Sequence, residues 1–166
     1  MTKNETVFSK DLEKKKLTVV RAFDASLERV WEAWTTSGIL DQWWAPKPYK
    51  AETKTMNFSE GGRWIYCMVG PGGDRTWCRV DYKTIRPLKS ITTTSMFSDE
   101  DGRENLEFPV MHWNKQFKET GETTTVTIDI TFDRETDMEA ILKMGFQEGF
   151  TMGLGNLDLY LGSHQA

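Results

Sequence analysis

The stretch TDMEAILKMGFQEGFTMGLGNLDLYLG, residues 136–162, carries a helical signal long enough to cross a whole domain. Thr136 and Glu139 have the spacing of a capping box, a hydroxyl at the helix start and a carboxylate three residues on. Met138, Leu142, Phe146, Phe150, Leu154, Leu157 and Leu161 then recur at helical spacing. At 1.5 Å per residue, about 27 residues span roughly 40 Å. Gly145, Gly149 and Gly153 interrupt the run four residues apart and so share one slowly drifting stripe. Each costs roughly 1 kcal/mol against Ala in a helix interior. The stripe marks either the closest packing of the helix or space left for a ligand. The expectation is a curved sheet wrapped around this one long helix.

The rest of the chain supplies the sheet. Leu17 to Phe23 alternates with β-branched content. Asp24 and Ser26 are capping residues, and Leu27, Val30, Trp31 and Trp34 follow at i, i+3, i+4, i+7. Ile39 to Trp44 predicts a second short helix, ended by Pro46 and Pro48. Strands are predicted over 51–58, 63–69, 76–85, 90–97, 108–117 and 122–132, the strongest turn being Gly70-Pro71-Gly72-Gly73-Asp74. Residues 1–16 are a polar tail with a short extended piece near Val7-Phe8, 17–162 are one domain, and 163–166 are a C-terminal tail. The fold class is α+β, with about six or seven antiparallel strands, two short helices and the long C-terminal helix.

Composition narrows the function. The net charge of −4 argues against a nucleic-acid binder. Residues 1–16 contain no apolar core of a signal peptide, and no apolar run approaches a membrane span, so a cytoplasmic location is expected. There is no HExxH, Walker A or GxGxxG motif, and no cofactor or metal is expected.

Several motifs, in this order, resemble the helix-grip fold of the Bet v 1/START-like superfamily. They are Arg21-Ala22-Phe23-Asp24-Ala25, Val30-Trp31-Glu32-Ala33-Trp34, Trp43-Trp44-Ala45-Pro46, Glu60-Gly61-Gly62-Arg63-Trp64, Gly70-Pro71-Gly72-Gly73, Phe108-Pro109 and Met144 to Phe150. More narrowly, the chain resembles the branch related to the activator of Hsp90 ATPase. The resemblance implies the fold strongly. Its functional implications are broad, since the superfamily includes lipid and polyketide binders, cyclases and co-chaperone domains. Many relatives have Gly and Glu near the positions of Val80 and Thr84, so chemistry that depends on that Glu is not expected here.

A four-residue hairpin loop at 71–74 would pair Cys67 with Cys78 on one face. Trp64, Tyr66 and Met68 would then share the other face with Trp77 and Arg79. Both faces carry large apolar groups, so alternation leaves open which one meets the helix. Either the aromatic face lines a cavity or it faces outward toward a partner. The favoured function is binding of a small hydrophobic or amphipathic molecule between sheet and helix. Its expected walls are Trp34, Trp64, Tyr66, Met68, His112, Phe146, Gly149 and Phe150, with Trp43 and Trp44 at the mouth. Tyr66 and His112 would orient the ligand. The alternatives are a cyclase- or hydrolase-like enzyme using His112 or Tyr82, and a chaperone-accessory interaction domain. The chain is expected as a monomer or homodimer.

Overall fold

The computed structural model describes residues 5–163. Residues 1–4 of the predicted 1–16 tail and 164–166 of the predicted 163–166 tail lie outside the described residues, and Ser163 closes the last helix. The strands are β1 (Val7–Asp11), β2 (Lys16–Phe23), β3 (Lys50–Met56), β4 (Arg63–Val69), β5 (Arg75–Arg86), β6 (Ser90–Phe97), β7 (Met111–Thr120) and β8 (Thr123–Thr131). They form one antiparallel sheet in the order β1-β2-β8-β7-β6-β5-β4-β3. β1 pairs with β2 as an edge strand, so the sheet begins inside the stretch read as a tail. β7 starts at Met111, because Pro109 keeps the preceding residues in a loop.

The helices α1 (Leu27–Thr35) and α2 (Ser37–Trp43) carry the chain from β2, near one edge, to β3 at the other. Ser26 caps α1, its Oγ accepting from the Arg29 N–H at 3.3 Å. The last two helices, α3 (Glu135–Lys143) and α4 (Phe146–Ser163), lie against the concave face of the sheet. Phe150, Leu154, Leu157 and Leu161 of α4 pack with Leu17, Val19, Val126, Ile128 and Ile130 of the sheet. An ion pair between Arg21 of β2 and Asp158 of α4 ties helix to sheet.

Residues 136–162 therefore form two helices rather than one. Gly145 has φ +89°, the left-handed conformation that ends helices, and its N–H donates to Leu142 O at 3.1 Å. The capping box is also absent. The helix begins at Glu135, Arg134 is the N-cap, and Arg134 pairs with Asp137 at 3.0 Å. Thr136 is thus already inside the first turn, where Glu135 and Asp137 suit the helix dipole.

The β4–β5 hairpin also departs from expectation, by one residue. Gly70 N–H donates to Asp74 O at 2.8 Å and Gly73 has φ +88°, which makes a three-residue loop of Pro71–Gly73. The register becomes Tyr66↔Cys78, Cys67↔Trp77 and Met68↔Thr76. A one-residue slip exchanges the two faces of a strand. Cys67 and Cys78 consequently sit on opposite faces, and Trp64, Tyr66 and Cys78 turn inward into the core.

Candidate functional site

A cavity of about 220 Å³ lies between the sheet and the start of α4. Its sheet wall is Tyr66 and Met68 of β4, Cys78 and Arg79 of β5, Ser95, Met96 and Phe97 of β6, and Met111 and Trp113 of β7, with Arg79 paired to Asp81. Its other wall is Phe146, Gly149 and Phe150 of α4, with Trp44 and Pro46 from the exit of α2. Met144, at the α3–α4 turn, lines it and is 51% exposed, so the cavity reaches the surface there. The break at Gly145 thus makes the mouth.

The aromatic wall is held by ring contacts and a few polar bonds. Phe146 stacks on Phe150 at 5.5 Å, and Trp113 meets Phe150 edge-on at 5.5 Å. Trp64 stacks behind Tyr66 at 4.1 Å, its Nε1 donating to Thr53 at 3.0 Å. Trp44 Nε1 donates to the Tyr66 hydroxyl at 2.8 Å. Burial, with Cys78 directly opposite, raises the Tyr66 phenol well above its ordinary value, so it stays neutral. Burial likewise pushes the Cys78 thiol up to about 12, which makes it a poor nucleophile. On the helix side, Asn156 donates to the carbonyls of Ala45 at 3.1 Å and Trp43 at 3.4 Å, fixing the segment that carries Trp44.

The expected wall and mouth residues do not all reach the cavity. Tyr66, Met68, Phe146, Gly149, Phe150 and Trp44 line the cavity. Trp34 and Trp64 stand one layer behind, in contact with Trp44. Trp43 is not at the mouth: it is buried in the core, with Nε1 donating to Ala33 O at 3.0 Å. His112 is not in the wall either. Met111 and Trp113 point inward, so strand alternation sends His112 to the outer face, where its ring is bonded to Asp133 at 3.0 Å and to Thr94 at 3.3 Å. Tyr82 packs against Phe58, away from both His112 and the cavity. Neither His112 nor Tyr82, the alternatives expected as acid or base, lines the cavity. Among the described residues, no group of three His, Cys, Asp or Glu could hold a metal ion.

One inward residue was missed by sequence reasoning. Lys115 follows Trp113 on the inner face of β7 and is 7% exposed. Its Nζ lies 5.3 Å from the ring centre of Trp113, 5.8 Å from Trp34 and 5.9 Å from Trp44. Desolvation lowers its pKa to about 8. The alternation Met111, Trp113, Lys115, Phe117 contained the signal.

The sequence model of the activator of Hsp90 ATPase homolog 1-like proteins matches residues 24–162. The chain belongs to that family. Its fold recurs in solved structures. A protein from Arthrobacter aurescens is 30% identical with a TM-score of 0.90, over 96% of this chain and 92% of that one. A protein from Mycobacterium smegmatis is 24% identical with a TM-score of 0.88, over 98% and 100%. One from Staphylococcus epidermidis is 25% identical with a TM-score of 0.82, over 96% and 97%. No curated protein matches the chain. No helix among the described residues is long and apolar enough to cross a membrane.

Proposed function

We propose that this member of the activator of Hsp90 ATPase homolog 1-like family binds a small, mainly apolar molecule between β4–β7 and α4. The observation that carries the reading is the cavity itself, walled mainly by aromatic, methionine and glycine residues and open at Met144. A 150 Å³ apolar cavity holds benzene. By that scale, about 220 Å³ suits a ligand of roughly nine carbon atoms. Nothing in the wall pairs a nucleophile with a base, so the reading is binding rather than catalysis. Native mass spectrometry of freshly purified protein tests it together with a titration of eight-carbon probes. Retained mass or saturable binding supports it. Protein that carries nothing and binds none of the probes refutes it.

The second reading is a chaperone contact. The family description motivates it, and so does the loop before β7, where Leu106 is 84% exposed and Phe108 stands beside it. Adding the purified protein to Hsp90 and measuring ATP hydrolysis tests it. An unchanged rate would remove this reading.

A further inference from the structure

We propose that the ligand ends in a carboxylate, or a comparable monoanion, and that Lys115 with the indole N–H group of Trp113 holds that end. The inference rests on the binding reading above and names the class of ligand. Along β7 the inner-face residues are Met111 and Trp113, which line the cavity, and then Lys115. The amine thus lies at the next position inward from the cavity, behind the rings of Trp113 and Trp44.

The argument is a count of hydrogen-bonding groups. Among the described residues no carboxylate or other acceptor is paired with Lys115, although its Nζ is less completely buried than the indole nitrogens of Trp34 and Trp113. Trp34 Nε1 and Trp113 Nε1 are buried without an acceptor, and both belong to rings that surround Nζ. Thr93, cross-strand from Trp113, has a buried hydroxyl that is also unpaired. The two indole N–H groups need acceptors, and the Thr93 hydroxyl can serve either way. A carboxylate accepts at about four lone-pair sites and donates nothing. It would also neutralise the buried charge, which the rings compensate only in part.

Other charges do not supply the counterion. The titratable groups on the inner face are Tyr66 of β4 and Cys78 and Tyr82 of β5, all kept neutral by burial, and Arg21 of β2, which is paired with Asp158 of α4. α1 and the exit of α2 present Trp34 and Trp44 to the amine. With its pKa near 8, Lys115 is charged at neutral pH and uncharged well above it.

The test compares sodium octanoate with octan-1-ol, which share a chain and differ in the head group. Binding to the full chain is followed by tryptophan fluorescence and calorimetry at pH 7 and pH 9.5. A charge-assisted contact predicts octanoate binding about tenfold or more tightly than octan-1-ol at pH 7. The preference should fall toward unity at pH 9.5, and at pH 7 in Lys115→Met. The pH arm needs no variant and decides the matter if Lys115→Met fails to fold. Equal binding of acid and alcohol at pH 7, or an acid preference that survives both changes, overturns the anchor while leaving the cavity reading intact. Binding of neither probe refutes the cavity reading and the anchor with it.

Discussion

Lys115→Met should make the free protein more stable at neutral pH, and the gain should vanish in alkali. The Lys115 pKa falls from 10.5 to about 8 on folding, because burial disfavours the charged form. A shift of that size corresponds to roughly 3 kcal/mol. The sign follows from proton counting. Below pH 8 both folded and unfolded chains hold the proton, so the whole cost is present. Between pH 8 and 10.5 the unfolded chain holds more protons than the folded one, so stability rises with pH. Cys78 opposes this, since its thiol is raised from 9.0 to about 12 and its contribution is lost as pH climbs through that range. The rise in the parent is thus confined to about pH 8–9, while the difference between parent and variant isolates Lys115. The three indole rings return about 1–2 kcal/mol to the ammonium. That leaves a net advantage to Lys115→Met of about 1–2 kcal/mol at pH 7. Urea unfolding followed by tryptophan fluorescence at pH 7, 8, 9 and 10.5 measures it. If the variant is less stable than the parent by more than about 1 kcal/mol, equally at every pH, the amine has a partner and the reasoning fails.

The three glycines of the last helical region should respond differently to alanine. Gly145→Ala puts a side chain at φ +89° and should cost about 1–2 kcal/mol by thermal unfolding. Gly153→Ala should cost a similar amount, about 1–2 kcal/mol, because its Cβ would come within 3.2 Å of Trp44 O and 3.3 Å of Trp43 O. Gly149→Ala meets only Pro46 Cγ at 3.6 Å, so it should hold or raise stability by up to about 1 kcal/mol while weakening octanoate binding. Tyr66→Phe removes the acceptor of Trp44 Nε1 and should cost about 1–3 kcal/mol, read from the urea midpoint. Oxidation should leave Cys67 and Cys78 unbridged, as they lie on opposite faces of the hairpin; a disulfide found by peptide mass mapping would contradict the register.

Element order was legible because periodicity and turn residues are local signals. Strands β2 to β8, the two short helices and the helical face of 136–162 follow from spacing alone, whereas β1 lay in the stretch read as a tail. What the sequence left hidden depends on single residues whose meaning is set by geometry. Gly145, Gly149 and Gly153 look alike at four-residue spacing. In the fold they end a helix, line a cavity and admit a neighbouring backbone, respectively. Their difference lies in φ and in what stands opposite, and neither is written in spacing.

The hairpin shows the same limit more sharply. Pro71-Gly72-Gly73-Asp74 permits a loop of three or four residues, and only the left-handed Gly73 closing Gly70 onto Asp74 selects three. That one residue decides whether Cys67 or Tyr66 faces the helix, and so whether the interior has an aromatic wall. His112 and Lys115 invert in a comparable way. The histidine attracted attention by type, yet alternation from Trp113 places it outside. The lysine drew no reading at all, yet the same alternation places it among three tryptophans. Residue type suggested where chemistry could be, and parity along β7 decided where it is. The Lys115→Met comparison tests whether an ammonium in that position costs the fold stability, as its desolvation predicts.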